Sequence, residues 1–384
     1  MGMRAAVAVF QENNRTSHSP IALGGQPRMT MLEFFAGSGL VAQGLGNLFK
    51  VVWANDICPK KAAVYRANHD SSIFHLGDIC EINGDTLPKA NLAWASFPCQ
   101  DLSLAGLVGG IEAKRSGMVW QWLRIMDEMS VKPKVLVAEN VVGLISTAEG
   151  KNYQLLHQAL HERGYRVGAI VLNAMRFVPQ SRPRVFIVAV DKDMDIPFHL
   201  TDDQPNWLHP AALKKVAYGL PGWVWWHMPI PSHRYISLAD IIEWDAPVDS
   251  EHTTQKNLDM MPERHRAILE KAPQNQTIVA TGYKRTRHGK QVLEVRFDGI
   301  AGCLRTPEGG SSRQLVIIKR SGQISTRLLT VREAARLMGV PDSFVIPGGY
   351  NEGYKAMGDA VAVPVAEYLG QHLLFPLVEA AYAR

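Results

Sequence analysis

The feature that most constrains this chain is an alternation between residues 30 and 195. Short β-rich runs (RMTMLEFF, KVVWAND, LAWASF, KVLVAEN, YRVGAIVLNA and RVFIVAVD) take turns with helical stretches such as VWQWLRIMDEMS and YQLLHQALHERG. Helical segments lying between β-rich runs return each strand parallel to the last. The expectation is an α/β fold: a doubly wound, mainly parallel, Rossmann-like sheet, with the last two runs pairing as an antiparallel hairpin.

After residue 195 the pattern changes to prolines, scattered tryptophans, glycine turns and a basic stretch, YKRTRHGK, at 283 to 290. This predicts a smaller, irregular unit over 196–325, with the tryptophans of 223 to 226 in its core. Helical periodicity returns in TVREAARLMG and VAEYLGQHLLFPLVEAAYA, which are expected to rejoin the first unit. The division is then a polar, poorly ordered tail over 1–28, a main domain over 29–195 and 326–384, and the unit between.

The 384 residues contain four cysteines with no C-x-x-C and no companion histidines at zinc-ligand spacing. A disulfide scaffold and a structural metal are not expected. No apolar run approaches the roughly 18 to 20 residues that span a bilayer, which predicts a cytoplasmic protein with no membrane partner. The net charge of +5 points to a polyanionic partner.

Ligands of open α/β sheets sit at the carboxyl ends of the strands. The first run ends EFFAGSGL, where Gly37 and Gly39 let the backbone turn tightly beside a ligand. The second ends in Asp56, placed either to accept ribose hydroxyls or to cap the next helix. The third ends LGDI, with Asp78 positioned to accept from an adenine amino group. The G-x-G-x-x-G spacing that cradles a pyrophosphate is absent, so a cofactor with adenine and ribose but no pyrophosphate fits, and S-adenosylmethionine meets that description.

Cys99 leaves the fourth run in FPCQDLS, ahead of polar, glycine-rich sequence rather than core. A thiol there is a nucleophile in want of an electrophilic substrate. KVLVAENV sets Glu139 and Asn140 at the next strand end. A carboxyl on an apolar strand end holds its proton and can donate it to a ring nitrogen; the alternative is an ordinary ion pair with arginine. Gln180, Arg182 and Arg184 follow with period two in PQSRPRV, so both guanidiniums share a face, to hold a base carbonyl, orient Glu139 or bind phosphate.

These residues together resemble the cytosine-C5 DNA methyltransferases of bacterial or phage type. The resemblance rests on EFFAGSG, ND at 55 and 56, GDI at 77 to 79, FPCQ at 97 to 100, RSGMVW at 115 to 120, ENV at 139 to 141, QSRPR at 180 to 184, RLLTVREAARLMGVPDSF at 327 to 344 and MGDAVAVPVA at 357 to 366. It covers about 30 to 190 and 325 to 370; the middle unit matches only by position, which in that family belongs to the target-recognition domain. The resemblance implies that Cys99 attacks C6 of a flipped-out cytosine while Glu139 donates to N3, with Arg184 and Arg182 holding the O2 side. S-adenosylmethionine then methylates C5, and loss of the C5 proton frees Cys99. It further implies cofactor contacts from Phe35, Gly37, Ser38, Gly39, Asp56, Ile57, Asp78, Ile79, Pro98, Val119, Asp359 and Ala360. Substrate contacts fall to Gln100, Ser103, Asn140 and Gln180, the segment 101 to 118 closing over the base.

Three positions depart from that pattern. Glu33 replaces an aspartate, Leu40 a glycine, and Asp359 an asparagine near the cofactor carboxylate, where a second negative charge weakens binding unless a cation offsets it. In CLRTPEGGSSRQ, Arg305 and Arg313 flank a turn suited to phosphate and base-edge contacts. YKRTRHGK either contacts phosphates or is a solvated face. The expected partner is double-stranded DNA, bound by a monomer near the nucleoid, with a cognate restriction endonuclease as a further candidate. An RNA (tRNA) cytosine methyltransferase and an inactive DNA-binding regulator are the rival readings. An exocyclic amino methyltransferase is disfavoured because FPCQ replaces its N/D-P-P-Y/W loop.

Overall fold

The computed structural model describes residues 29–98, 117–232, 234, 236–305 and 313–383. The expected tail over 1–28 lies outside them. Seven strands form the main sheet: β1 (Met29–Phe34), β2 (Phe49–Asp56), β3 (Phe74–Leu76), β4 (Leu92–Ala95), β5 (Val135–Val141), β6 (Tyr165–Asn173) and β7 (Pro183–Asp191). Their order is β3-β2-β1-β4-β5-β7-β6. β1 to β5 are mutually parallel, whereas β7 runs antiparallel to both β5 and β6, so the expected hairpin closes the sheet.

Alternation along each strand divides the core between two faces. In β7, Phe186, Val188 and Val190 join one cluster while Val185, Ile187 and Ala189 join the other. The second cluster is covered by α3 (Met118–Glu128) and α4 (Lys151–Glu162), whose buried residues recur at helical spacing. The first is covered by α1 (Leu40–Leu45) and by the returning C-terminal helices. Between α1 and α3 lies α2 (Pro59–Asn68), which follows β2.

The chain order reverses between β1 and β4, since β2 and β3 extend to one side and β5 to the other. Diverging loops leave a crevice at that point, at the carboxyl ends of the strands.

Residues 196 to 245 pack on the main sheet rather than forming a separate core. They contribute the two-residue strands β8 (Thr201–Asp202) and β9 (Trp225–Trp226). Trp226 is fully buried, with its indole Nε1 donating to Val188 O at 3.3 Å, and Trp223 stacks on His157 of α4 at 5.7 Å. The expectation that these tryptophans build the smaller unit is therefore corrected: they seal the hairpin side of the large one.

The smaller core instead joins α5 (Glu251–Asp259) and α6 (Glu263–Lys271) to an antiparallel sheet of β10 (Ile278–Arg287), β11 (Lys290–Arg296), β12 (Gln314–Arg320) and β13 (Gln323–Leu328), in the order β11-β10-β12-β13. Arg327 at the end of β13 pairs at 2.5 Å with Glu333 in α7 (Val331–Leu337). That buried pair fixes the return to the main domain, where α8 (Tyr350–Gly358), α9 (Val363–Leu369) and α10 (Phe375–Tyr382) follow. The stretch Tyr350–Tyr382 is apolar enough by composition to span a bilayer, contrary to the sequence reading, but 61% of its most apolar window is buried in the protein. It is accounted for as a core element.

Candidate active site

The cofactor half of the crevice begins where β1 ends. Phe35 takes φ 56°, a left-handed conformation that strains a bulky residue and is kept where surrounding contacts enforce it. Those contacts are present: Ala36 N donates to Asn55 O at 2.8 Å, and Gly37 N to Asp56 Oδ2 at 2.9 Å. Asp56 Oδ1 accepts from Cys58 N at 2.8 Å, so the carboxylate braces both loops. A carboxylate has about four lone-pair directions, which leaves acceptor capacity facing the cleft. The two readings of Asp56 are thus compatible. Ser38 Oγ donates to Ala356 O at 3.0 Å and ties the loop to α8.

These residues line one cleft of about 750 Å³, together with Asp78, Ile79, Pro98, Asp359 and Ala360. Ile57 stands at its mouth 66% exposed, an apolar surface beside Phe35 suited to a flat ring. Asp78 Oδ1 is held by Cys80 N at 2.9 Å. The cation that Asp359 requires is Lys61, whose Nζ lies 2.8 Å from Asp359 Oδ2. Burial pulls the Lys61 amine down, but Asp359 and Asp56 more than offset this and hold it above its ordinary value. Beneath the loop, Glu33 is fully buried with neither carboxylate oxygen hydrogen-bonded. Burial, opposed by the Ala42 backbone and reinforced by Asp56, raises its pKa to about 8.

The chemical half lies at the ends of β5 and β7. Glu139 is 7% exposed and meets Arg184 Nε at 3.1 Å. Desolvation raises its pKa, and the opposing pull of Arg184, Arg182 and the Ser96 hydroxyl does not cancel the rise. A carboxyl so placed is shifted toward its protonated form, the form that can donate. Asn140 Nδ2 donates to Phe97 O at 3.0 Å while its Oδ1 accepts from Val141 N at 2.9 Å, locking the strand end that leads to Pro98. Its amide is engaged in the protein rather than held out for substrate.

Arg182 and Arg184 do share a side, since their guanidiniums approach Cys303 Sγ at 3.4 and 4.0 Å. Their roles separate, however. Arg182 is 2% exposed and donates to Leu304 O, Gly358 O and Ala360 O at 3.2, 2.9 and 2.6 Å. It clamps two loops onto β7 while also lining the cleft, which gives it a positioning role beside Arg184. Burial, then the like charge of Arg184, brings its pKa down to about 10.

Three further expectations are corrected. Gln180 is fully buried outside the cleft, its Nε2 donating to Leu337 O at 2.8 Å and its Oε1 accepting from Leu304 N at 3.0 Å, so no group is left for substrate. Val119 is buried in the core and does not line the cleft, whereas its neighbour Met118 does. Gly39 shapes the loop without lining the cleft: at φ 80° it caps α1, and a Cβ there would lie 2.5 Å from His69. Arg305 lines the cleft, whereas Arg313 lines a separate cavity. In the basic stretch, Arg285 and Arg287 pair with Glu294 on β11, as a solvated face would.

Cys99, Gln100 and Ser103, with most of the segment expected to close over the base, lie outside the described residues. Sequence reasoning missed Lys61, Lys355 and Cys303 as cleft residues. Lys61 carried a signal, standing one helical turn into α2 after Asp56; Cys303 carried none. Among the described residues no group of His, Cys, Asp and Glu is arranged to hold a metal.

A Rossmann-like sheet with an antiparallel seventh strand, a series of polar strand-end loops around one cleft and a buried carboxyl beside an arginine fit a nucleobase-directed methyltransferase. The family profile of the C-5 cytosine-specific DNA methylases matches residues 29–374. The chain belongs to that family, and its activity is methylation of cytosine C5 in DNA. It is 26% identical over 359 residues to the type II methyltransferase M.HhaI of Haemophilus parahaemolyticus, covering 90% of this chain and 94% of that one. With the type II methyltransferase M.NgoBI of Neisseria gonorrhoeae it shares 28% over 353 residues, covering 90% and 93%. The crystal structure of the S. pombe Dnmt2 methyltransferase has the same fold, with TM-score 0.57 at 19% identity over 89% of this chain and 97% of that one.

Proposed function

We propose that this chain methylates cytosine within a specific duplex sequence through a covalent bond between Cys99 and C6 of a flipped-out base, with Glu139 as the acid and Arg184 as its anchor. The observation that carries the reading is Glu139: a buried carboxyl held toward its protonated form and fixed by Arg184 at 3.1 Å, in the cleft toward which the chain leading to Cys99 runs. Donation from Glu139 to N3 withdraws electrons from the ring and makes C6 susceptible to a thiolate. Arg184 stays beside the carboxylate as it forms. Removal of the C5 proton then lets the ring expel Cys99.

The cofactor that fits is S-adenosylmethionine, which supplies an electrophilic methyl group. Phe35 and Ile57 offer apolar surfaces to its adenine, Asp78 an acceptor to the exocyclic amine, and Asp56 acceptor capacity to the ribose. Lys61 and Asp359, with opposite charges, suit the zwitterionic amino-acid end. The small unit of α5, α6 and β10 to β13, within the span 196–325, is read as the target-recognition domain. A base inside a duplex is out of reach of the cleft, so it must flip out at a cost of a few kcal/mol. The protein is read as a cytoplasmic monomer on DNA, with a restriction endonuclease of the same system as a candidate partner. The DNA reading is favoured over RNA because the family profile and the named relatives are DNA methylases and type II methyltransferases.

The test is covalent capture. A duplex made with 5-fluorocytosine carries no C5 proton to lose, so the adduct persists after methyl transfer. A complex resistant to sodium dodecyl sulfate, formed only with S-adenosylmethionine and mapping to Cys99, is expected. A complex that survives Cys99→Ser, or none in the presence of methyl transfer to ordinary DNA, overturns the covalent role.

A further inference from the structure

A second cavity, of about 260 Å³, opens between α5 and the small sheet and is lined by Asp249, Thr253, Asn257, Lys284, Arg313 and two leucines. Its cations are placed against ordinary stability. The β10–β12 ladder ends with Tyr283 paired to Gln314, and the residues just beyond it on the two segments, Lys284 and Arg313, both line the cavity. Like charges gathered on one small cavity repel each other unless a ligand meets them. Glu294, the acid of this hairpin, belongs to the other face with Arg285 and Arg287.

The opposite wall supplies acceptors. Asp249 is held by Thr326 Oγ1 at 2.7 Å and Asn257 Nδ2 at 3.2 Å, while Asn257, 1% exposed, has its Oδ1 without a hydrogen-bond partner. Arg313 Nε is likewise unpartnered, and its guanidinium lies 5.7 Å from the ring of Tyr350 at the start of α8. The cavity adjoins the catalytic cleft through one strand end: Gln314 exchanges hydrogen bonds of 3.0 and 2.8 Å with Gly302, next to Cys303 and Arg305 in the cleft wall.

We infer that this cavity reads one G·C base pair of the target sequence from the major groove, with Lys284 and Arg313 on guanine and Asp249, positioned by the buried Asn257, on its partner cytosine. In that groove guanine presents the acceptors N7 and O6, and cytosine the donor N4 amino group. Two cations facing two acceptor groups across a small gap match that edge. A phosphodiester satisfies the cations but meets the Asp249 carboxylate, and so fits less well. The inference rests on the DNA methylation reading and adds to it the residues and base pair of one recognition contact.

The experiment maps methylated sites in plasmid DNA for the full chain and for Arg313→Gln and Lys284→Met, and measures the affinity of each for S-adenosylhomocysteine. The wild type is expected to require guanine or cytosine at a position flanking the target. The variants are expected to keep their S-adenosylhomocysteine affinity and lose discrimination at that one position, on the order of 10- to 100-fold. A uniform loss at all sequences with a shallower salt dependence identifies a phosphate contact and overturns the inference. An unchanged motif in both variants, or a wild-type motif lacking any such flanking pair, overturns it as well. Absence of methylation by the wild type overturns the activity itself, and is distinguishable from these.

Discussion

Replacing Arg182 by methionine separates a clamp from a catalyst. The guanidinium donates to three backbone carbonyls, Leu304 O, Gly358 O and Ala360 O, all within 3.2 Å. Each buried carbonyl deprived of its donor costs about 1–3 kcal/mol. The cost of burying the cation, visible in its pKa of about 10, is returned, so the lower part of that range applies. We expect a loss of about 3 kcal/mol, read as a lowered urea midpoint by circular dichroism. The Gly358 to Ala360 turn lines the cofactor cleft, so S-adenosylhomocysteine affinity should fall with it. A variant with wild-type midpoint and wild-type affinity that transfers no methyl group would refute the clamp and restore Arg182 to catalysis.

Glu139→Gln keeps the size of the side chain but has no acidic proton; methyl transfer should fall by about 10²- to 10⁴-fold in single-turnover assays while S-adenosylhomocysteine affinity is retained. Lys61→Met removes the cation paired with Asp359 and should weaken cofactor binding by about tenfold in calorimetry, a loss that Asp359→Asn in the same chain should recover if the pair is coupled. Glu33 ionises near 4.5 when unfolded and near 8 when folded, so the folded state holds the extra proton between those values. Its contribution is therefore present at low pH and lost as pH rises through that window. Glu33→Gln should be more stable than wild type at pH 8.5 and less so at pH 5, as urea midpoints will read.

The strand-end series was legible because an open sheet exposes only those ends: Asp56, Asp78 and Glu139 stand where parallel runs stop, and Arg184 where the antiparallel run begins. What the pattern left open was the destination of side chains that leave a strand. Gln180, Arg182 and Arg184 share a period, yet only the packing of 303–304, 337–338 and 358–360 decides which are consumed by backbone carbonyls. The tryptophans at 223–226 carry no periodicity that names a partner, and the hairpin side of the main sheet, not the smaller unit, had the uncovered apolar face. Lys61 as the counter-charge of Asp359 depends on α2 meeting the turn after α8, across nearly three hundred residues.

The central claim is tested most directly by bisulfite sequencing of plasmid DNA from cells without cytosine methylation of their own, expressing this chain or its Cys99→Ser variant. Protected cytosines confined to one short motif with the wild type, and none with the variant, are the predicted result. Complete conversion with both, from cells that contain the folded wild-type protein, would contradict it.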